Sequence, residues 1–269
     1  MITGSLITPG PHIYVFADVD GQTLGSALSA TPYVCVTGNC NFAMTTAGGQ
    51  VYGAQAFGGH YLHFANDGSS SPIVGAVASL TSNLGMWGDP VNGHIIASSN
   101  SGLVDIDPVA GTFRVINAGL FPDGVTVSPD GLIAYVENGG TIQSYSIATG
   151  ALIQTYFTGH SPDGTGVITG GLFNGDVIVN DNDGTVGLLD PITSVFTIIA
   201  NGGTRGDFVS PDLSNGTLFL SQNEQVARLS CGPGCSIGGP GGPLPEPATL
   251  ALVGLGLAGL AASRRRKSN

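Results

Sequence analysis

The 269-residue chain carries 18 acidic and seven basic residues, a formal net charge of −11. Four of the seven basic residues are the run 264–267, so residues 1–263 hold three basic against 18 acidic side chains, −15, with no lysine; such a body repels phosphate backbones and excludes a nucleic-acid partner. Hydrophobic residues make up 42%, enough for a core, while charged residues are only 9%, and apolar alternation through most of the chain argues against disorder.

The N-terminal stretch MITGSLITPGPHIYVFADVDG has neither a basic n-region nor an apolar h-region, so no secretory signal peptide is visible. Four cysteines fall in two close pairs, Cys35 with Cys40 and Cys231 with Cys235. Three connectivities are open to them. Local pairing across each glycine-containing turn is the favoured one in an oxidising compartment. Pairing between the ends of the body and a four-cysteine zinc site are the alternatives.

From there the chain repeats itself. HIIASSNSGLVDIDPVAGTFRVI, LIAYVENGGTIQSYSIATGALIQTY and DVIVNDNDGTVGLLDPITSVFTIIA each read as strand, tight turn, strand, tight turn, strand. The first turns centre on Asn100-Ser-Gly102, Asn138-Gly-Gly140 and Asn182-Asp-Gly184, residues that tolerate the positive φ of short hairpin turns. Further copies of that hairpin are expected around Asn223, around Asn66 and, more weakly, around Val19 and Gly21. The tips recur every 34 to 47 residues, and a short strand precedes each unit, at Gly124–Ser128, Gly164–Thr169 and Asp207–Ser210. A period of ~40–45 residues with four short strands per unit is that of a β-propeller. The expected fold is therefore all-β, with six blades of four antiparallel strands over residues 1–231. The last unit lacks an obvious fourth strand, and MITGSLIT is expected to supply it by pairing the two ends of the body.

The stretch PDGVTVSPDGLIAYVENGGTIQSYSIATGALIQTY resembles the repeat of YVTN and NHL type β-propellers, most clearly over residues 86–230. That resemblance implies a fold shared by scaffolds, lactonases and lyases.

Asp89, Asp123, Asp163 and Asp207 recur 34, 40 and 44 residues apart. They are read as preceding the innermost strands and converging at one mouth of the central channel. Carboxylates gathered there raise one another's pKa or recruit a cation, and four oxygens suit Ca²⁺. No cofactor is required by this reading, and Ca²⁺ is the one the residues would accept. Asp in Pro-Asp-Gly is also ordinary turn chemistry, as are Asp18-Val-Asp20-Gly21 and Asp181-Asn-Asp183-Gly184, which lack the glutamate of an EF-hand loop. A metal-dependent hydrolase, lactonase or lyase at the channel is the alternative function. Against it, Glu137 and Glu224 are placed away from the mouth and Glu246 in the tail. The five histidines, at 12, 60, 63, 94 and 160, share no repeat position.

Residues 232–244 form a Gly/Pro-rich linker. Residues 245–269 then read Pro245-Glu246-Pro247, an uncharged run over 248–263, and the basic cluster Arg264, Arg265, Arg266 and Lys267. As a helix the run rises ~24 Å, a little short of a ~30 Å hydrocarbon core. A transmembrane helix over 248–263 is expected, with the cluster held on the cytoplasmic side and the body outside. This arrangement resembles the PEP-CTERM sorting signal of Gram-negative bacteria. The resemblance implies export, exosortase and the inner membrane as partners during sorting, and a final place at the cell surface or in an extracellular biofilm matrix. Such a protein needs a leader, so a start further upstream is expected. The combined expectation is a sorted surface propeller that binds polysaccharide or protein without catalysis.

Overall fold

Alternating apolar residues separated by Gly, Asn and Asp turns build strands that face two ways, and the structure is composed of them. The computed structural model describes residues 2–3, 13–16, 30–34, 42–55, 59–65, 70–212, 217–222 and 225–229. The linker, the transmembrane helix expected over 248–263, Pro245, Glu246, Pro247, the basic cluster Arg264, Arg265, Arg266 and Lys267, and all four cysteines lie outside them. No helix among the described residues is long and apolar enough to cross a membrane.

The strands form six antiparallel sheets in chain order. The first holds β1 (Ile2–Thr3), β2 (Ile13–Phe16) and β3 (Ala30–Val34). Then come β4 (Phe42–Ala47), β5 (Gln50–Gln55), β6 (Tyr61–Phe64) and β7 (Ser70–Pro72), and a 3₁₀ turn (Gly75–Ser79) leads on. The third sheet is β8 (Ser82–Gly88), β9 (Ile95–Ser99), β10 (Gly102–Asp107) and β11 (Thr112–Asn117). The fourth is β12 (Val125–Val127), β13 (Ile133–Asn138), β14 (Thr141–Ser146) and β15 (Leu152–Tyr156). The fifth is β16 (Pro162–Val167), β17 (Val177–Asp181), β18 (Val186–Asp190) and β19 (Val195–Ala200). The sixth is β20 (Gly206–Asp212), β21 (Thr217–Gln222) and β22 (Gln225–Leu229).

This is an all-β β-propeller, with first strands β4, β8, β12, β16 and β20 lying side by side. Where the repeat predicts six four-stranded blades, among the described residues four sheets have that form, and the first and last have three strands. Of MITGSLIT only Ile2 and Thr3 are described, and instead of the expected pairing with the last sheet they pair as β1 with β2 of the first, Ile2 opposite Tyr14. One hairpin is also reassigned. β6 and β7 are the third and fourth strands of their sheet, so the stretch around Asn66, itself outside the described residues, does not join second and third strands.

The core lies between blades. On β9, Ile95 and Ala97 join one apolar cluster with Tyr52 and Tyr61, while Ile96 joins the next with Val125 and Val136. On β13, Ala134 and Val136 face back and Tyr135 faces forward to Val177 and Leu189. This is the two-residue period of a strand buried on both faces. First strands crowd together near the axis and need glycine for it: a Cβ on Gly124 would meet the Asp163 carbonyl oxygen at 2.5 Å. At the β13–β14 tip, Asn138 pairs with Thr141 around Gly139 and Gly140, both at positive φ, as a two-residue turn of this kind requires.

Candidate functional site

Antiparallel order places the start of each first strand and the tip of each second-to-third hairpin on one face. Polar side chains from the fourth, fifth and sixth sheets gather there. Asp163, near the start of β16, is buried, and its Oδ2 accepts a 2.8 Å hydrogen bond from Arg205 Nε of the next blade. Burial raises the Asp163 pKa, and the Arg205 hydrogen bond and charge pull it back down. Arg205 Nε also donates to Asn182 Oδ1 at 2.8 Å. Glu137, at the end of β13, accepts from the Gly140 amide. Its pKa is raised by burial, and further by the nearby Asp163 charge. Glu137 therefore belongs to this face, contrary to the placement expected from sequence, because β13 runs antiparallel to β12 and its end lies beside the start of β12.

A tighter cluster sits beside it. His160 comes from the loop before β16, Asp181 ends β17, and Asp183 sits in the β17–β18 turn. One donor atom from each lies within 4.8 Å of the others. His160 Nδ1 is 3.0 Å from Asp183 Oδ2. That hydrogen bond, with the Thr185 amide, holds the Asp183 pKa down at about 2. Asp181 is fully buried, and neither carboxylate oxygen has a hydrogen-bond partner. Its pKa is pushed up to about 6 by burial; His160 works against the rise and Asp183 adds to it. The residue types and geometry are those of a metal-ligating or proton-holding group.

The four aspartates singled out by their spacing are not brought together as a set. Asp123 and Asp163 do lie at the starts of first strands, and the backbone of Asp207 is in β20. Asp89 does not. It follows β8, at the opposite end of the first strand, where its Oδ1 accepts from the Val91 amide. Among the described side chains, only His160, Asp181 and Asp183 meet as a group of three potential ligands. Sequence spacing missed this cluster because His160 recurs in no other repeat and Asp181–Gly184 reads as a plain turn. The one available signal was a carboxylate two residues before the turn's own aspartate.

The opposite face carries a second ionic group. His94 Nδ1 is 2.8 Å from Asp105 Oδ1, and Arg114 Nη2 donates to Asp105 Oδ2 at 2.9 Å and to the Ile147 carbonyl at 3.0 Å. The link to Ile147 ties β11 to the next blade.

The outer rim differs from both faces. β15 and β19 contain no charged residue and expose Leu152, Ile153, Val195, Ile198 and Ile199. Gln154 Nε2 donates to Ser194 Oγ at 2.7 Å, joining the rims of these two blades.

Residues 243–267 match the family model described as the PEP-CTERM protein-sorting motif. No curated protein matches the sequence. A gluconolactonase from Xanthomonas campestris is similar in structure at TM-score 0.60 and 15% identity, over 74% of this chain and 74% of that one. A chain of a nidogen/laminin complex is similar at TM-score 0.59 and 13% identity, over 76% and 82%. A hydrazine synthase chain of Kuenenia stuttgartiensis is matched at TM-score 0.47 and 14% identity, over 56% of this chain and under half (47%) of its own. An enzyme and a protein–protein complex thus share the fold, which leaves catalysis unassigned. The motif implies export, membrane-associated sorting and processing by exosortase. The chain is a β-propeller, similar in fold to the gluconolactonase and nidogen/laminin structures, that carries a PEP-CTERM sorting motif over residues 243–267.

Proposed function

We propose that this propeller is a non-catalytic binding module of the cell surface or extracellular matrix, and that its ligand is a protein engaged along the outer rim. The observation that carries this reading is the uncharged, apolar edge of β15 and β19. An outermost strand offers unpaired backbone groups, and proteins usually blunt such edges with charge, proline or cover. Here the edge keeps Ile153 and Ile198 about half exposed, at 54% and 49%. A partner strand laid along it would gain main-chain hydrogen bonds and apolar burial together. Polysaccharide, the other ligand class, is recognised through exposed aromatic platforms, whereas on these strands Tyr156 is buried and Phe196 only partly exposed. The reading requires no cofactor.

A hydrolase or lactonase at the mouth is the competing reading, favoured only by the likeness to gluconolactonase. One experiment separates the two. The full-length chain and the double variant Ile153→Lys/Ile198→Lys are applied to cells of the producing bacterium lacking the chain, before and after surface proteolysis. The same preparations are screened against lactones and esters. Retention that needs both the apolar rim and protease-sensitive surface protein supports the binding reading. Turnover abolished by Asp163→Asn, with retention indifferent to the rim, overturns it.

A further inference from the structure

We propose that His160, Asp181 and Asp183 form a binding site for one divalent transition-metal ion of the zinc or manganese kind. Turn chemistry accounts for Asp183, whose Oδ1 accepts from the Thr185 amide at 2.9 Å. It does not account for Asp181. That side chain is fully buried at the end of β17, and both of its oxygens lack a hydrogen-bond partner. A buried carboxylate without partners is strongly disfavoured unless a cation or a proton accompanies it. The donors that surround it identify the cation.

His160 is brought to the carboxylates from 21 residues upstream of Asp181. Its backbone amide donates to Thr158 Oγ1 at 3.2 Å, and its ring lies 5.9 Å from that of Phe196. These contacts hold the imidazole over the hairpin tip independently of any metal. Asn182, between the two aspartates, is drawn toward Arg205 and Ser161, while Asp183 holds His160 and Asp181 keeps both oxygens unpartnered. Arg205 is itself balanced by Asp163 at 2.8 Å.

One imidazole nitrogen and two carboxylates suit zinc or manganese, which accept mixed nitrogen and oxygen ligands. Calcium takes six to eight oxygens, which three side chains including a histidine do not supply. Donor atoms already within 4.8 Å need only small side-chain rotations to reach bonds of ~2.1 Å. The side chains of His160 and Asp183 are 25% and 53% exposed, so an ion has a path in and an open coordination position outward. Two aspartates and a divalent cation also cancel in charge, which removes the penalty Asp181 otherwise carries.

The test uses the full-length chain stripped of metal by chelation, then titrated calorimetrically with Zn²⁺ and spectroscopically with Co²⁺. One ion per chain is expected, with a cobalt spectrum of nitrogen and oxygen ligands and no thiolate charge-transfer band. His160→Gln and Asp181→Asn should each weaken Zn²⁺ binding at least ~10-fold, since even groups behind the ligands are worth that much. Without metal, Asp181→Asn should melt no lower than the parent, because it removes an unpartnered charge; with Zn²⁺, only the parent should gain melting temperature. A thiolate band, or Zn²⁺ affinity unchanged in both variants, would assign the ion to the cysteines and overturn the proposal. Absence of stoichiometric binding by the parent overturns it too. If a variant fails to fold, the parent's stoichiometry and cobalt spectrum still decide.

Discussion

Arg205 Nε lies 2.8 Å from Asp163 Oδ2 across the boundary between the fifth and sixth sheets. The aspartate is nearly buried, with a side-chain exposure of 7% against 42% for the arginine. Removing the arginine leaves a buried carboxylate unpaired. Breaking a buried pair costs ~3–5 kcal/mol, and partial exposure of Arg205 lowers this to about 2 kcal/mol for Arg205→Gln. Urea denaturation of Arg205→Gln and of Arg205→Gln/Asp163→Asn checks it, with the double variant expected to regain part of the loss.

Gly124 marks the closest approach of two first strands. Gly124→Ala would press a methyl group onto the Asp163 carbonyl oxygen, a backbone atom that cannot swing aside. Overpacking of this kind costs ~1–3 kcal/mol, and a loss of about 2 is expected. Gly119→Ala is the control. Its added methyl would meet only Asn117 Oδ1, at 3.7 Å, and its stability should stay within ~0.5 kcal/mol.

Tyr61 and Ser98 join the second and third sheets through a buried bond, the Tyr61 hydroxyl donating to the Ser98 carbonyl at 2.8 Å. Tyr61→Phe keeps the ring and deletes the donor. The expected loss is about 1 kcal/mol or slightly more, because the carbonyl is left dry. Thermal melts of the two proteins at one pH suffice to measure it.

The pH dependence of stability should carry the mark of Asp176. Burial, with the Asp190 charge adding to it, pushes its pKa up to about 6 from an ordinary 3.8. The folded state then holds the proton more tightly than the unfolded chain. Its stabilising contribution is complete below pH ~3.8 and is lost as pH rises through about 6. Asp176→Asn should therefore lose less stability than the parent between pH 4 and pH 7. Denaturation midpoints for both, at unit pH steps in a chelating buffer, provide the comparison; parallel curves would refute it.

The blade pattern was legible because strand period, turn residues and repeat length all point the same way. Val125, Ile133 and Ile142 fall on strands where alternation puts them. The first strands after Gly124, Asp163 and Gly206 were likewise placed correctly. What spacing could not reveal is which end of a strand a side chain occupies: Asp89 and Asp123 stand in Asp-Pro and Pro-Asp contexts that look alike, yet lie at opposite ends of their first strands. Nor could it reveal convergence between non-equivalent positions. His160 and Asp181 meet because a loop unique to one blade folds over that blade's hairpin, and no repeat comparison registers a unique loop.

Each sheet is a contiguous stretch of chain, and each apolar cluster draws on two consecutive sheets. Such a molecule can be assembled in the order in which it is delivered. A chain crossing a membrane with its N-terminus first completes one hairpin set from local pairings, and every later blade condenses on a finished neighbour. The sorting motif follows the blades in the chain, so in N-terminus-first delivery it reaches the membrane after they have passed.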